Sequence, residues 1–455
     1  MNPQKRTLFL LLPIFLFCAV VRAAEKPDIV FILADDLGSY DVSWRGSEIK
    51  TPNLDKLANA GAKLENFYVQ PLCSPTRASL MTGRYPMRYG FQVGVVKPWA
   101  KYGLPREERM LPQALREVGY TTAICGKWHL GSFEKKYWPN ARGFDHWYGH
   151  LFGALDYNTH IRDGEFDWYR DGVTNHDEGY TTHLVGQEAA RLIRDQPKDK
   201  PLFLYVPFNA VHAPLQVPEK YMEPYGNLKG DRRTYAGMVV AMDEMVGKIV
   251  AAIDETGRRK NTLFIFSSDN GGPAPGRITS NGPLRAGKGT VYEGGVHTCA
   301  FATWENHIPA GTKVNAMAHM VDWYPTLLNL TGASLQQKLP LDGKDIWSCL
   351  TQGKPSPRNE ILMNTTPVLG AIRVGDWKFV LHEEKSAVKS EEGKKKKNTR
   401  ASAVETKVEL FNLVDDPSES KNLAEENPKK LKELRARYEI LAKQAVTPNN
   451  KRDGD

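Results

Sequence analysis

Ile29-Val30-Phe31-Ile32-Leu33-Ala34-Asp35-Asp36 is the stretch whose reading decides the fold. Its six apolar residues run without a polar interruption, which fits a short strand covered on both faces; a strand with one wet face would alternate apolar and polar side chains. Two adjacent carboxylates then end the run. The pattern recurs along the chain. Residues 121–124 lead into Lys127 and His129, residues 202–206 lead to His212, and residues 263–266 lead into Asp269-Asn270. Helical patterns lie between these runs. Thr51 and Pro52 suit the N-cap and first-turn positions of a helix reaching Ala60. After Arg233, Met238, Met242, Met245, Ile249 and Ile253 follow helical spacing and read as a core stripe rather than a cofactor box. Alternating strands and helices predict an α/β sheet with helices on both faces, and such sheets bind ligands beyond the carboxyl ends of their strands. All four polar clusters fall at those ends. They predict one composite active site.

The chain has 455 residues, 41% hydrophobic and 25% charged, which excludes a disordered, collagenous, coiled-coil or multi-span membrane protein. Its formal charge of +8 does not define a nucleic-acid groove, because Lys5, Arg6 and Arg22 lie in a leader and much of the rest sits in one C-terminal run. That leader, residues 1–23, has a charged start, an apolar stretch from Leu8 to Val21 and a Val21-Arg22-Ala23 cleavage-like site. It reads as a secretory signal peptide, placing the mature chain in a secreted or periplasmic setting with no stable membrane span. Cys73, Cys125, Cys299 and Cys349 then remain, too sparsely spaced for a disulfide framework.

Near residue 345 the pattern changes. Residues 371–374 and 377–381 flank Gly375-Asp376 and predict a hairpin; residues 409–413 add a short strand. Asn427-Pro428 opens a helix with Leu431, Leu434, Tyr438 and Leu441 on one face. The expected organisation is a catalytic domain over 24–345 and a small α+β domain over 346–455. Residues 385–400, with Lys394 to Lys397, form a Lys-rich loop expected to be a solvated insertion.

Cys73-Ser74-Pro75-Thr76-Arg77, followed by Thr82-Gly83-Arg84, is the sharpest motif in the chain. It resembles the type I sulfatase signature, C-x-P-x-R with a following T-G-R. Gly143-Phe144-Asp145 and residues 201–218, 235–243 and 261–272 are most similar to the arylsulfatase B, or N-acetylgalactosamine-4-sulfatase-like, branch. The resemblance implies an alkaline-phosphatase-like α/β sandwich, with a large mixed, mostly parallel sheet between helices and a small C-terminal α+β domain. It implies a sulfuric ester hydrolase in which a maturation enzyme oxidises Cys73 to formylglycine, whose hydrated aldehyde is the nucleophile.

By the same resemblance, Asp35, Asp36, Asp269 and Asn270, with position 73, hold a cation. Oxygen donors, three of them carboxylates, suit Ca²⁺, with Mg²⁺ as the alternative, rather than zinc. Arg77 holds the formylglycine, and Lys127 and Lys288 clamp the sulfate oxygens. His129 is the base that releases sulfate; His212 contacts the scissile oxygen and, with Lys288, protonates the leaving alcohol. Some sulfatases carry a serine after the Gly-Phe-Asp segment. Here Tyr148-Gly149-His150-Leu151 stands instead, which makes His150 a substrate-side candidate. Tyr157 and Trp168-Tyr169 are candidates for a sugar subsite or for core packing. The implied substrate is a sulfated saccharide of galactose or N-acetylgalactosamine type. A phosphate or phosphonate ester hydrolase of the same superfamily would share these parts. An inactive polyanion-binding relative would show damaged positions, and none is damaged.

Overall fold

A computed structural model describes residues 26–364, 369–385 and 404–451. The leader lies outside the described residues, as does nearly all of the Lys-rich loop. Asp28–Ala34 is a strand with every residue buried. It pairs in parallel with Leu202–Pro207 on one side and Thr262–Ser268 on the other. Thr121–Lys127 and then His146–His150 extend the parallel run. Among the described residues, ten strands form this sheet, with antiparallel pairs added at Ala300–Thr303 and Tyr169–Arg170. The sheet is therefore mixed but mostly parallel at its centre, as the unbroken apolar runs require.

Successive residues of the first strand feed opposite cores, because side chains alternate across a strand. Ile29, Phe31 and Leu33 pack with Phe203, Tyr205, Leu263 and Ile265 under Ala78, Leu80 and Met81 of the Cys73–Thr82 helix. Val30, Ile32 and Ala34 pack on the other face with Leu204, Val206, Phe264 and Phe266. There they meet the Thr181–Asp195 and Gly230–Glu255 helices, whose Met238, Met242, Met245, Ile249 and Ile253 are fully buried. Each large side chain so buried contributes about 1.5–3 kcal/mol, so the strand is fixed in register from both sides.

One helix start differs from expectation. Pro52–Asn59 is the helix, but Thr51 does not cap it; its hydroxyl instead donates to Asp55 Oδ1 at 3.0 Å. The free N–H groups are taken by buried Asp243, which accepts from Asn53 at 3.1 Å and Leu54 at 2.8 Å. The cap comes from another helix.

Glu360–Asn364, Gly370–Val374, Trp377–Lys385 and Val404–Asn412 form a separate antiparallel sheet in that order. Val374 pairs with Trp377 across the expected turn, with Gly375 in the left-handed region at φ 55°. One face packs on the Pro428–Ala442 helix through Phe379, Leu410, Leu434 and Tyr438. The other face, with Val380 and Phe411, packs on Tyr68, Val291 and Val296 of the large unit. Cys73, Cys125, Cys299 and Cys349 are buried and free. Among the described residues, no helix is long and apolar enough to cross a membrane.

Candidate active site

Asp35 and Asp36 leave the first strand at its carboxyl end, and Asp269 and Asn270 leave the neighbouring parallel strand at the equivalent point. All four are buried. Asp36 holds φ 62°, a left-handed backbone that costs a non-glycine residue about 1 kcal/mol or more and is tolerated where surrounding contacts fix it. Those contacts are present. Asp36 N–H donates to Asp269 Oδ1 at 3.3 Å, and Asn270 Nδ2 donates to Asp36 Oδ1 at 2.7 Å. Buried Asn281 ties the two turns together by accepting from Ser39 N–H at 3.3 Å and Gly272 N–H at 3.0 Å.

The Cys73–Thr82 helix brings Cys73 Sγ to 3.6 Å from Asp35 Oδ1. Burial and the Asp269 carboxylate push the Cys73 thiol well above its ordinary value, so the sulfur is a neutral thiol and not a thiolate nucleophile. One turn on, Arg77 donates to Asp269 Oδ2 through Nε at 3.0 Å and Nη2 at 2.7 Å, and Nη2 lies 3.4 Å from Asp35. Sequence reasoning assigns Arg77 to the nucleophile. Its observed contacts are with the flanking carboxylates and, through Nη1 at 3.1 Å, with Lys127 O.

Lys127, at the end of its strand, contacts Asp35 Oδ2, and Lys288 Nζ lies 2.7 Å from Asp36. Burial alone would raise Asp35, yet Lys127, His212 and Arg77 together hold it ionised well below the carboxylate range. Burial and the Asp35 charge push Asp269 the other way, above the usual carboxylate range. His212 reaches the same place from the strand ending at Pro207, with Nε2 3.6 Å from Asp36 Oδ2. Asp35, Asp36, Cys73 and His212 offer donor atoms all within 4.8 Å of one another. The two carboxylates among them fit a hard cation, and Asn270 Oδ1 is a buried acceptor without a hydrogen-bond partner, as an amide oxygen turned to a cation would be; Asp269 is outside this group, its oxygens accepting from Asp36 N–H and Arg77.

His129 also has a left-handed backbone, at φ 59°, and its Nε2 faces Val96 O at 3.0 Å. That partner assigns the proton to Nε2 and leaves buried Nδ1 as an unpaired acceptor. Burial, Lys127 and Arg77 keep this imidazole neutral. Burial likewise lowers His212, against the pull of Asp36. Ser74, which the motif does not single out, organises this corner: its hydroxyl donates to His129 O at 3.0 Å and accepts from Val96 N–H at 3.1 Å.

His150 is brought beside these groups but fully buried, its Nδ1 3.9 Å from Asp167. Trp168 stacks on both His150 and His160. Tyr157 and Trp168 are wholly buried, so they belong to the core and not to an exposed sugar platform. Tyr157 still supports the site, since its hydroxyl lies 2.8 Å from the carbonyls of both Asn209 and His212.

The Lys288 loop is held from two directions. Gly289 N–H donates to Pro71 O at 2.8 Å, next to the Cys73 helix. Gly271 must be glycine, because a Cβ there would lie 1.8 Å from Gly294 O. From the small sheet, fully buried Lys378 sits 2.8 Å from both Glu293 and Glu419, and Glu419 accepts the Glu293 N–H at 2.7 Å. Neither Glu419 nor Lys378 carries a local signal in the sequence.

With this geometry in place, the family follows: residues 27–333 match the Sulfatase family model, and the chain belongs to the sulfatase family of sulfuric ester hydrolases. Arylsulfatase J of Mus musculus is 41% identical over 372 residues, covering 79% of this chain and 61% of that protein. The N-acetylgalactosamine-6-sulfatase of Mus musculus is 35% identical, covering 78% of this chain and 72% of the relative. The solved structure of Ps i-CgsB in complex with k-i-k-neocarrahexaose is 33% identical with a TM-score of 0.82, covering 93% of this chain and 94% of that one. The mixed sheet and small antiparallel sheet thus have the alkaline-phosphatase-like arrangement of that family.

Proposed function

We propose that this protein is a secreted enzyme hydrolysing sulfate monoesters on a sulfated carbohydrate of galactose or N-acetylgalactosamine type, with a formylglycine made from Cys73. The observation that carries the reading is the meeting of a buried, protonated Cys73 with Asp35, Asp36, Lys127, Lys288 and His212 at one end of the sheet. A formylglycine at this position supplies, once hydrated, one oxygen that attacks sulfur and a second that later releases it. Asp35, Asp36, Asp269, Asn270 and position 73 would hold Ca²⁺, with Mg²⁺ as the alternative, and the cation would neutralise charge on sulfate. Arg77 keeps Asp269 and Asp35 in place. Lys127 and Lys288 present ammonium groups to the sulfate oxygens, where negative charge spreads during transfer. His129 accepts a proton at Nδ1, and His212 meets the leaving oxygen with Lys288 beside it. Support for the sugar class comes from the N-acetylgalactosamine-6-sulfatase relative and from the saccharide named with Ps i-CgsB.

The test is peptide mass spectrometry across Cys73 in protein from its native host. Replacing CH₂–SH by an aldehyde lowers the mass by about 18 Da, the change this nucleophile chemistry requires. Cys73→Ala, with folding preserved, loses turnover of 4-nitrophenyl sulfate. A surviving free thiol in active protein overturns the reading.

A further inference from the structure

Two loops that leave the His129 corner carry groups the hydrolytic chemistry does not use. Residues 94–106 depart through Val96, and residues 130–137 depart directly after His129. Leu104 N–H donates to Leu130 O at 2.8 Å, and Gly103 lies against both Leu130 O and the Tyr137 ring, so the loops run together. Trp99 is 73% exposed and Phe133 is 52% exposed. A chain advances at most about 3.6 Å per residue, which keeps Trp99 within about 11 Å of Val96 and Phe133 within about 14 Å of His129. Both aromatics are thus offered to water on loops that leave the catalytic corner.

The charge of these loops says what they suit. Residues 94–106 carry Lys97, Lys101 and Arg106, all exposed, and no acidic residue. The second loop adds Lys135 and Lys136 against Glu134. Between the loops a cavity of about 380 Å³ is lined by Tyr102, Arg106, Lys136 and Tyr137, with Glu107 and Asn449 also on its wall and with Trp99 and Phe133 outside it. Aromatic faces accept the C–H faces of sugar rings, and lysine and arginine accept sulfate groups on those rings.

We propose that these loops form a second carbohydrate subsite, which takes the sugar units next to the scissile sulfate on a sulfated chain. Trp99 and Phe133 stack on ring faces; Lys97, Lys101, Arg106 and Lys136 pair with neighbouring sulfates. This rests on the sulfated-carbohydrate reading above and extends it from one sulfate group to a polymer. The connection of both loops to the His129 corner favours a saccharide over a lipid surface, which could also meet aromatic and basic groups.

The experiment measures calorimetric binding of two probes, a carrageenan hexasaccharide and a chondroitin sulfate hexasaccharide, to Cys73→Ala protein, which leaves the ligand intact. Saturable binding of at least one probe is expected. Trp99→Ala weakens it about tenfold, the loss typical of a truncated aromatic anchor. Phe133→Ala, a second variant on the other loop, also weakens it, and K97Q/K101Q flattens its salt dependence. In the otherwise native chain, Trp99→Ala leaves 4-nitrophenyl sulfate turnover unchanged, because that substrate does not reach the loops. Equal binding by both aromatic variants and their parent overturns the proposal, as does binding to anionic vesicles with neither hexasaccharide bound. Failure of the parent enzyme on 4-nitrophenyl sulfate would instead count against the hydrolase reading alone.

Discussion

Lys378→Met isolates what the small sheet does for the catalytic one. The substitution keeps much of the side-chain volume but removes the ammonium that sits 2.8 Å from both Glu293 and Glu419. Glu293 and Glu419 are almost completely buried, so neither carboxylate can turn to water. Breaking a buried ion pair by removing one partner costs about 3–5 kcal/mol, and two stranded carboxylates place this variant toward the upper end. The cost depends on pH. Burial already raises Glu419, while Lys378 and His297 hold Glu293 low against its burial; without Lys378 both carboxyls rise. Protonation relieves the strain at low pH, so the loss is largest near pH 8 and shrinks toward pH 5. Urea unfolding at the two pH values measures this directly. A second readout follows from position: Glu293 lies five residues beyond Lys288 and anchors its loop. Turnover should therefore fall more for sulfate esters with poor leaving groups than for nitrophenyl esters, with KM less affected. Adding Glu419→Gln removes one stranded charge and recovers part of both losses. A Lys378→Met protein within about 1 kcal/mol of wild type at pH 8, with unchanged leaving-group dependence, would sink the argument.

Asp269→Ala removes a carboxylate that accepts from Arg77 and from Asp36 N–H, and cation content and turnover should fall together by about tenfold or more. Unchanged metal content by atomic emission counts against the ligand set. Asp167 is buried and accepts the N–H groups of Leu151 and Phe152, and burial pushes its carboxyl to about 7. An acid raised in the folded state takes up its proton more readily there than when unfolded, so this contribution to stability is lost as pH rises from about 4 to 7. Asp167→Asn should flatten that part of the stability profile; an unaltered slope between about pH 4 and 7 refutes the assignment.

What was legible in the sequence was local. An apolar run cut off by Asp35-Asp36 or Asp269-Asn270 records a buried strand and its functional end in one short segment. The Cys73 motif and the Gly375-Asp376 hairpin are equally self-contained. What was illegible joins distant segments. Asp243 caps a helix 189 residues earlier at Leu54, a contact no helix-start rule anticipates. Lys378, alternating along its strand, reads as a solvent-facing residue until Glu293 is found 85 positions away. Tyr157 and Trp168 sit among polar neighbours that mimic a binding platform, yet both are interior.

The helix that begins with Cys73 has no residue in contact with bulk water to any useful degree; all ten of its residues are buried. If Cys73 is converted as proposed above, an enzyme that oxidises it cannot reach it once this helix has docked against the sheet. Maturation would then be a race with folding, and its substrate would be an extended Cys73-Ser74-Pro75-Thr76-Arg77 peptide rather than the finished protein. Slower folding would lengthen the window for conversion. A variant that folds faster could be more stable and yet contain a larger fraction of molecules that can never be activated.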